Sequence, residues 1–382
     1  MIPYGRQDIQ KSDIDAVTRV LESDFLTQGP VIPAFEQAVA EKVGAAHAVA
    51  CNSATSALHV ACLALDVGEG DWVWTSPNTF VASANCALYC GAEIDFVDID
   101  SECFNLDVDA LAAKLAKAAL EHRLPKVVVP VHFSGQPCDM AKLSSLAERY
   151  GFSIIEDASH AVGAGYQNEP VGCGRYSDIT IFSFHPVKII TSGEGGMAVT
   201  NNRRLADRMA RLRQHGVTRD PDLMVDTPDG GWYYEQIELG FNYRMTELQA
   251  ALGLSQLSRL DAYVSRRTAL AERYDHELSN LPIDRPGRFP RAESAWHLYV
   301  VRVDPCRRKR IFESLRADGI GVNVHYIPVH LQPFYRRRGF CRGDFPVAES
   351  FYGRAISLPL FPGLVEQDQD RVVKSLSKAV TR

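Results

Sequence analysis

An α/β fold with two domains is what this sequence predicts, and three observations carry it. From Ala46 to Val199, short apolar strands alternate with helical stretches such as Met140–Tyr150, the rhythm of a largely parallel sheet covered on both faces. Leu281-Pro-Ile-Asp-Arg-Pro-Gly287 then punctuates the chain and marks a transition. Beyond it His297–Val303 and Val322–His325 read as strands, and Arg307–Asp318 and Gln367–Lys378 as helices, the grammar of a smaller α+β domain. Met245–Asn280, with little Pro or Gly, reads as one long helix between the two parts. With 382 residues, 46% of them hydrophobic, the chain can bury substantial cores.

In chain order, Ala48–Cys51 is a strand running into Asn52-Ser-Ala-Thr-Ser56, and Ala57–Leu65 is helical. Ser53, Ala54 and Thr55 stand at that helix's N-terminus, where free N–H groups and the helix dipole favour an anion, although an ordinary N-cap has the same look. After the strand Trp72–Thr75 comes Pro77-Asn-Thr-Phe80. Phe80 is either a core side chain or a flat surface on which a ring can stack.

Phe152–Asp157 reads as a buried strand that delivers Glu156, Asp157 and His160 at its carboxyl end, the edge where open α/β sheets bind ligands. Asp157 there is either a turn cap or the acidic partner of a protonated pyridine nitrogen. Ile179–Phe184 is a second buried strand, and Lys188 follows it between Val187 and Ile189-Ile190. A lone lysine beside a strand is commonly a snorkelling surface residue. In an apolar setting, however, desolvation favours the neutral amine, which can attack a carbonyl to form a Schiff base. Strand-Asp-x-x-His followed by strand-x-Ser-x-x-x-x-Lys matches the lysine-plus-acid pattern of pyridoxal phosphate (PLP) sites. Gly193, Gly195 and Gly196 suit tight turns and close backbone approach rather than chemistry.

Asn52–Leu58, Asn78–Phe80, Glu156–Ala161, Phe182–Lys188 with Gly193–Gly196, and Leu239–Glu247 together resemble the sugar-nucleotide aminotransferases of the DegT/DnrJ/EryC1/StrS type. The likeness runs from Ile2-Pro3 to Ser357-Leu-Pro-Leu-Phe-Pro362. It implies the aspartate-aminotransferase-like fold (fold type I), with a large PLP-binding domain and N-terminal arm over residues 1–255. A small C-terminal domain over 256–382, begun by a linking helix, completes it. It also implies a homodimer with shared active sites. By the same resemblance Lys188 carries PLP, Asp157 holds the pyridine nitrogen, His160 lies near the phenolic oxygen and Phe80 stacks on the ring. Ser53, Ala54, Thr55 and Ser183 would bind the phosphate, with Asn242 reaching it from the neighbouring subunit. Arg244 would meet an anionic substrate group, and His325, Tyr326 and His330 belong to a loop resembling the family's substrate loop.

Within the family, His160, the Phe182–Lys188 block and Trp232–Arg244 are most similar to the pseudaminic-acid branch. The implied reaction moves an amino group from L-glutamate to C4 of a UDP-linked 4-keto-6-deoxy N-acetylhexosamine. Its product would be UDP-4-amino-4,6-dideoxy-N-acetyl-β-L-altrosamine. A dTDP- or GDP-linked keto sugar is the alternative substrate. The family's sugar dehydratases carry histidine in place of the lysine, so Lys188 speaks against dehydration. A non-catalytic PLP-binding regulator is the third reading, disfavoured because no DNA-binding segment is appended.

Composition narrows the partners. A net charge of −6 argues against a broad nucleic-acid or anionic-membrane surface. Arg336-Arg-Arg338 is a short basic run, read as a solvated helix end or a local diphosphate clamp. Nine scattered cysteines include no Cys-x-x-Cys pair, and Cys86 and Cys90 lack obvious His partners, so no metal site is expected. Together with the lack of a secretory signal, they point to the cytoplasm. Ala45–Leu65 contains His47, Asn52, Ser53, Thr55 and His59, poor company for a membrane span.

Overall fold

The structure is a computed structural model that describes residues 1–381. Its centre is a seven-stranded sheet in the order His47–Cys51, Gly196–Thr200, Ile179–Ser183, Ser153–Asp157, Val127–Val129, Trp72–Thr75 and Glu93–Phe96. All neighbours pair in parallel except Gly196–Thr200, which runs antiparallel to both of its own. The segment joining Ser183 to Gly196 contains no helix, whereas a parallel return needs a long crossover, usually helical. The chain therefore doubles back. The carboxyl ends of His47–Cys51, Ile179–Ser183 and Ser153–Asp157 consequently share one sheet edge with the amino end of Gly196–Thr200, with Gly196 paired to both Cys51 and Ser183.

The strands are short, rich in Val and Ile, and buried, as both faces of the sheet are covered. On one face lies Ala54–Ala64, whose small residues, including Ala57, Ala61 and Cys62, let the helix sit close to the sheet. It begins before Ala57 because Ser53 is extended and its Oγ accepts the Ser56 N–H at 3.1 Å. Met140–Tyr150 forms as read and ends on Gly151 in the left-handed region, φ 77°.

The expected helix Met245–Asn280 is two helices, Glu247–Leu257 and Leu260–Glu277. Thr246 and Gln249 form a reciprocal capping box that sets the first start. At the break Ser258 Oγ turns back to the Ser255 carbonyl at 2.7 Å, while the Arg259 guanidinium is drawn to Asp13 at 2.6 Å. The second helix then bridges two cores: Leu260 and Tyr263 pack with the sheet, while Leu270 and Tyr274 pack in a C-terminal cluster.

That cluster forms on the antiparallel pair Tyr299–Arg302 and Ala355–Leu358, covered by Arg308–Ala317 and Glu366–Thr381. Tyr299–Arg302 pairs with Ala355–Leu358, whereas Val322–His325, expected as a strand, makes only a single bridge, Asn323 to Ser357. Val329, Tyr335 and Phe351 pack instead into the core of the large sheet, which carries the segment 325–335 over its binding edge. Among the described residues no helix is long and apolar enough to cross a membrane.

Candidate active site

A cavity of about 750 Å³ opens at the shared sheet edge. Lys188, Asp157, His160, Ser183, Phe80, Ser53, Ala54, Thr55, His325 and Tyr326 all line it. Residues spread over nearly 275 positions meet there because parallel strands deliver their carboxyl ends to one side.

Lys188 follows the strand Ile179–Ser183 on a loop pinned from both sides. Phe184 donates its N–H to the Gly195 carbonyl and accepts from Ser192, both at 2.9 Å, while Ile189 and Ile190 are buried in the core. Burial lowers the amine's pKa to about 8, with the Asp157 carboxylate pulling in the opposite direction. At neutral pH roughly a tenth of such an amine is free base, against under one part in a thousand for an ordinary lysine.

Asp157 is buried and held by two contacts: its Oδ2 accepts from Ser83 Oγ at 2.6 Å, and its Oδ1 from the Ser159 N–H at 3.1 Å. A carboxylate can only accept, so the Ser83 proton lies on the line to Asp157. Thr79 Oγ1, 2.7 Å from Ser83 Oγ, then donates to Ser83. Glu156, expected at the same strand end, does not enter the cavity. Successive strand side chains face opposite ways, and Glu156 is bound on the far side by His132 Nε2 at 2.7 Å and Thr180 Oγ1 at 3.1 Å. Burial opposes its ionisation, but the bonds from His132, Ser177 and Thr180 outweigh this and hold it below the usual carboxylate range.

At the other end, the first-turn N–H groups of Ala54 and Thr55 precede the first intrahelical bond, Ala57 N–H to Ser53 O at 3.1 Å. A Cβ on Gly196 would come within 2.4 Å of the Ala54 nitrogen, so glycine is required for the strand to close against this helix N-terminus, a place where an anion could bind. Phe80 is 59% exposed at the cavity mouth, its ring 6.4 Å from that of Tyr326, and leaves a face open.

Three imidazoles form the remaining wall. His160, His297 and His325 are buried, and burial, with further positive groups nearby, holds all three below the usual histidine range, His325 at about 4. His325 bonds Ser357 Oγ at 2.7 Å. His297, whose ring centre is 4.4 Å from that of His160, was not foreseen as a site residue because it reads simply as the start of a strand. Ser83 was missed for a different reason: nothing local ties it to a carboxylate 74 residues away.

Besides Glu156, three expected residues do not reach this cavity. His330 is buried instead against Glu349, its Nε2 3.0 Å from Oε1, and packs edge-on to Phe345. The turn at Val329–Leu331 places it in the interior, away from this cavity. Asn242 is exposed and bridged to Gln214, and Arg244 is half-buried. Their segment is nevertheless tied to the same helix N-terminus, since the Tyr243 carbonyl accepts the Asn52 N–H at 2.8 Å. Among the described residues no group of three or more His, Cys, Asp or Glu side chains is arranged to hold a metal.

The donor set fits PLP: an anchored carboxylate for the pyridine nitrogen, a desolvated amine, a helix N-terminus for the phosphate and an open aromatic face. Fold and cavity define a PLP-dependent aminotransferase. Residues 7–377 match the DegT/DnrJ/EryC1/StrS aminotransferase family, and the chain belongs to that family. It is 39% identical over 365 residues to the UDP-4-amino-4,6-dideoxy-N-acetyl-beta-L-altrosamine transaminase of Campylobacter jejuni, covering 94% of this chain and 92% of that one. Its structure is similar to Helicobacter pylori PseC, an aminotransferase of pseudoaminic acid biosynthesis, with a TM-score of 0.90, 32% identity and coverage of 100% and 99%. It is also similar to Spr1654 of Streptococcus pneumoniae, described as a sugar aminotransferase and solved in its PMP form, with a TM-score of 0.91, 29% identity and coverage of 100% and 99%.

Proposed function

We propose that this sugar aminotransferase takes the amino group of L-glutamate and delivers it to C4 of a UDP-linked 4-keto-6-deoxy N-acetylhexosamine, giving UDP-4-amino-4,6-dideoxy-N-acetyl-β-L-altrosamine. The observation that carries the chemistry is the desolvated Lys188 amine sharing a cavity with the doubly hydrogen-bonded Asp157. The named substrate is supported by the Campylobacter jejuni and Helicobacter pylori relatives.

Lys188 would hold the cofactor covalently through Nζ. Asp157, aimed by Ser83 and Ser159, would keep a proton on the pyridine nitrogen. The N–H groups of Ala54 and Thr55, with the Ser53 and Ser183 side chains, would bind the phosphate, and Phe80 would stack on the ring. Bound PLP supplies the electron sink that acidifies the donor's Cα–H. Lys188 Nζ would take the Cα proton of the donor, and in the second half-reaction deliver one to C4 of the keto sugar.

Asn242 would serve the neighbouring subunit's cavity in a homodimer, and Arg244 would meet an anionic substrate group. Trp232, Tyr234 and Leu239, just before them, are 72%, 56% and 78% exposed, large apolar side chains suited to burial against a second copy. All nine cysteines are unpaired, and we place the enzyme in the cytoplasm, where thiols stay reduced. The decisive experiment incubates purified enzyme with glutamate and a panel of UDP-, dTDP- and GDP-linked keto sugars, with mass-spectrometric detection of the amino sugar. Preferred turnover of a dTDP- or GDP-linked sugar would reject the UDP assignment.

A further inference from the structure

Both ring nitrogens of His160 are committed to protein partners. Nδ1 accepts the Ser134 backbone N–H at 3.3 Å, and Nε2 lies 3.0 Å from the Tyr326 hydroxyl. Ser134 aims its N–H from a left-handed conformation, φ 64° and ψ 2°, which non-glycine residues hold only where their surroundings enforce it. Its hydroxyl is tied to the Leu298 carbonyl at 2.6 Å. The following Gly135 is packed so tightly that a Cβ would lie 2.9 to 3.0 Å from the Trp296, His160 and His297 backbone.

Burial, with the Lys188 ammonium nearby, holds His160 well below the usual histidine range and so keeps it neutral. A neutral imidazole has one donor and one acceptor nitrogen. Since Nδ1 faces a backbone donor, the proton sits on Nε2 and points at the Tyr326 oxygen. Tyr326 cannot aim its own proton along the same line. Burial raises the pKa of its hydroxyl, so the proton stays on, and among the described residues its oxygen has no hydrogen-bond partner other than His160.

We propose that Tyr326, rather than His160, presents the hydrogen-bond donor on this wall of the cavity, and that His160 is a positioning residue whose Nε2–H fixes the Tyr326 oxygen and turns its proton toward the ligand. The group this donor fits is an oxygen acceptor bearing partial or full negative charge: the phenolic oxygen of PLP, or the carbonyl oxygen of a keto sugar. Only the second source rests on the proposed function.

Three measurements test this. Protein labelled with ¹⁵N-histidine, free of cofactor, should show His160 as the Nε2–H tautomer in long-range ¹H–¹⁵N spectra, assigned against His160→Gln, with no titration between about pH 5 and 8. An Nδ1–H tautomer or an imidazolium overturns the proposal. Tyr326→Phe removes only the oxygen. About tenfold weaker PLP binding with an altered pH dependence of the bound cofactor's absorbance identifies the phenolic oxygen as acceptor. Unchanged cofactor binding with about a tenfold fall in kcat/KM confined to the sugar half-reaction identifies the sugar oxygen.

Wild-type behaviour in both readouts refutes the assignment. Finally, His160→Leu should lower the same parameter as Tyr326→Phe, His160→Gln should restore it, and the Leu and Phe changes should be non-additive. Additive losses would mean that the two residues act separately. Should no keto sugar be turned over at all, the tautomer and cofactor readouts still decide which residue donates.

Discussion

Replacing Ser83 by alanine tests how Asp157, the acid proposed to hold the pyridine nitrogen, is kept in place. Asp157 is 5% exposed and has two protein donors, of which Ser83 Oγ at 2.6 Å is the shorter contact. A hydrogen bond to a charged group contributes about 1.5 to 3 kcal/mol. The substitution leaves one carboxylate oxygen without this donor, and Thr79 loses the acceptor it used at 2.7 Å. A bound pyridinium needs that carboxylate charged and aimed, so most of the loss should appear in cofactor affinity. At about 1.4 kcal/mol per decade, PLP should bind about 10- to 100-fold more weakly. Titrating PLP into cofactor-free wild type and Ser83→Ala by absorbance measures this directly. Ser145→Ala, which removes an exposed hydroxyl bonded only to its own helix at 3.1 Å, is the control and should match wild type. Affinity of a folded Ser83→Ala protein within twofold of wild type would show that the Ser83 contact does not support the acid.

Borohydride reduction should fix a pyridoxyl group on the Lys188 peptide, and a label elsewhere would reject that assignment. With Lys188 at about pKa 8, the neutral amine rises about tenfold from pH 6 to pH 7, so the rate of PLP capture should rise similarly and level off above pH 8; a flat stopped-flow profile would contradict this. Asp157→Asn keeps the shape and removes the charge, and turnover should fall about a hundredfold or more while PLP still binds, more weakly; near-normal turnover would mean that another group holds the ring nitrogen. Mixing Lys188→Ala chains with Asn242→Asp chains should restore partial activity, because a heterodimer then carries one intact shared site. If subunits exchange and none returns, Asn242 serves its own chain.

Much of the site was legible because its signals are local. Ser53 before an alanine-rich helix marks a capped N-terminus through contacts within three residues. The strands ending at Asp157 and Ser183 announce themselves by short stretches rich in isoleucine and aromatic residues, and Lys188 by its apolar neighbours. The family resemblance added the order in which these pieces come together.

What depended on distant partners was not readable. Alternation says that Glu156 and Asp157 face opposite ways, but His132 and Ser83 decide which one meets the cavity. The 325–330 segment offers His325, Tyr326 and His330 as equals in sequence, yet packing against Glu349 and Phe345 buries the last in the core. The expected long helix breaks at Ser258–Arg259 with Arg259 bound to Asp13, 246 residues away. Propensity and capping act over a few residues, so the chain by itself determines where strands end and helices begin. Which side chain faces the ligand is settled by contacts whose partners lie far apart in sequence, and only the folded packing brings those partners together.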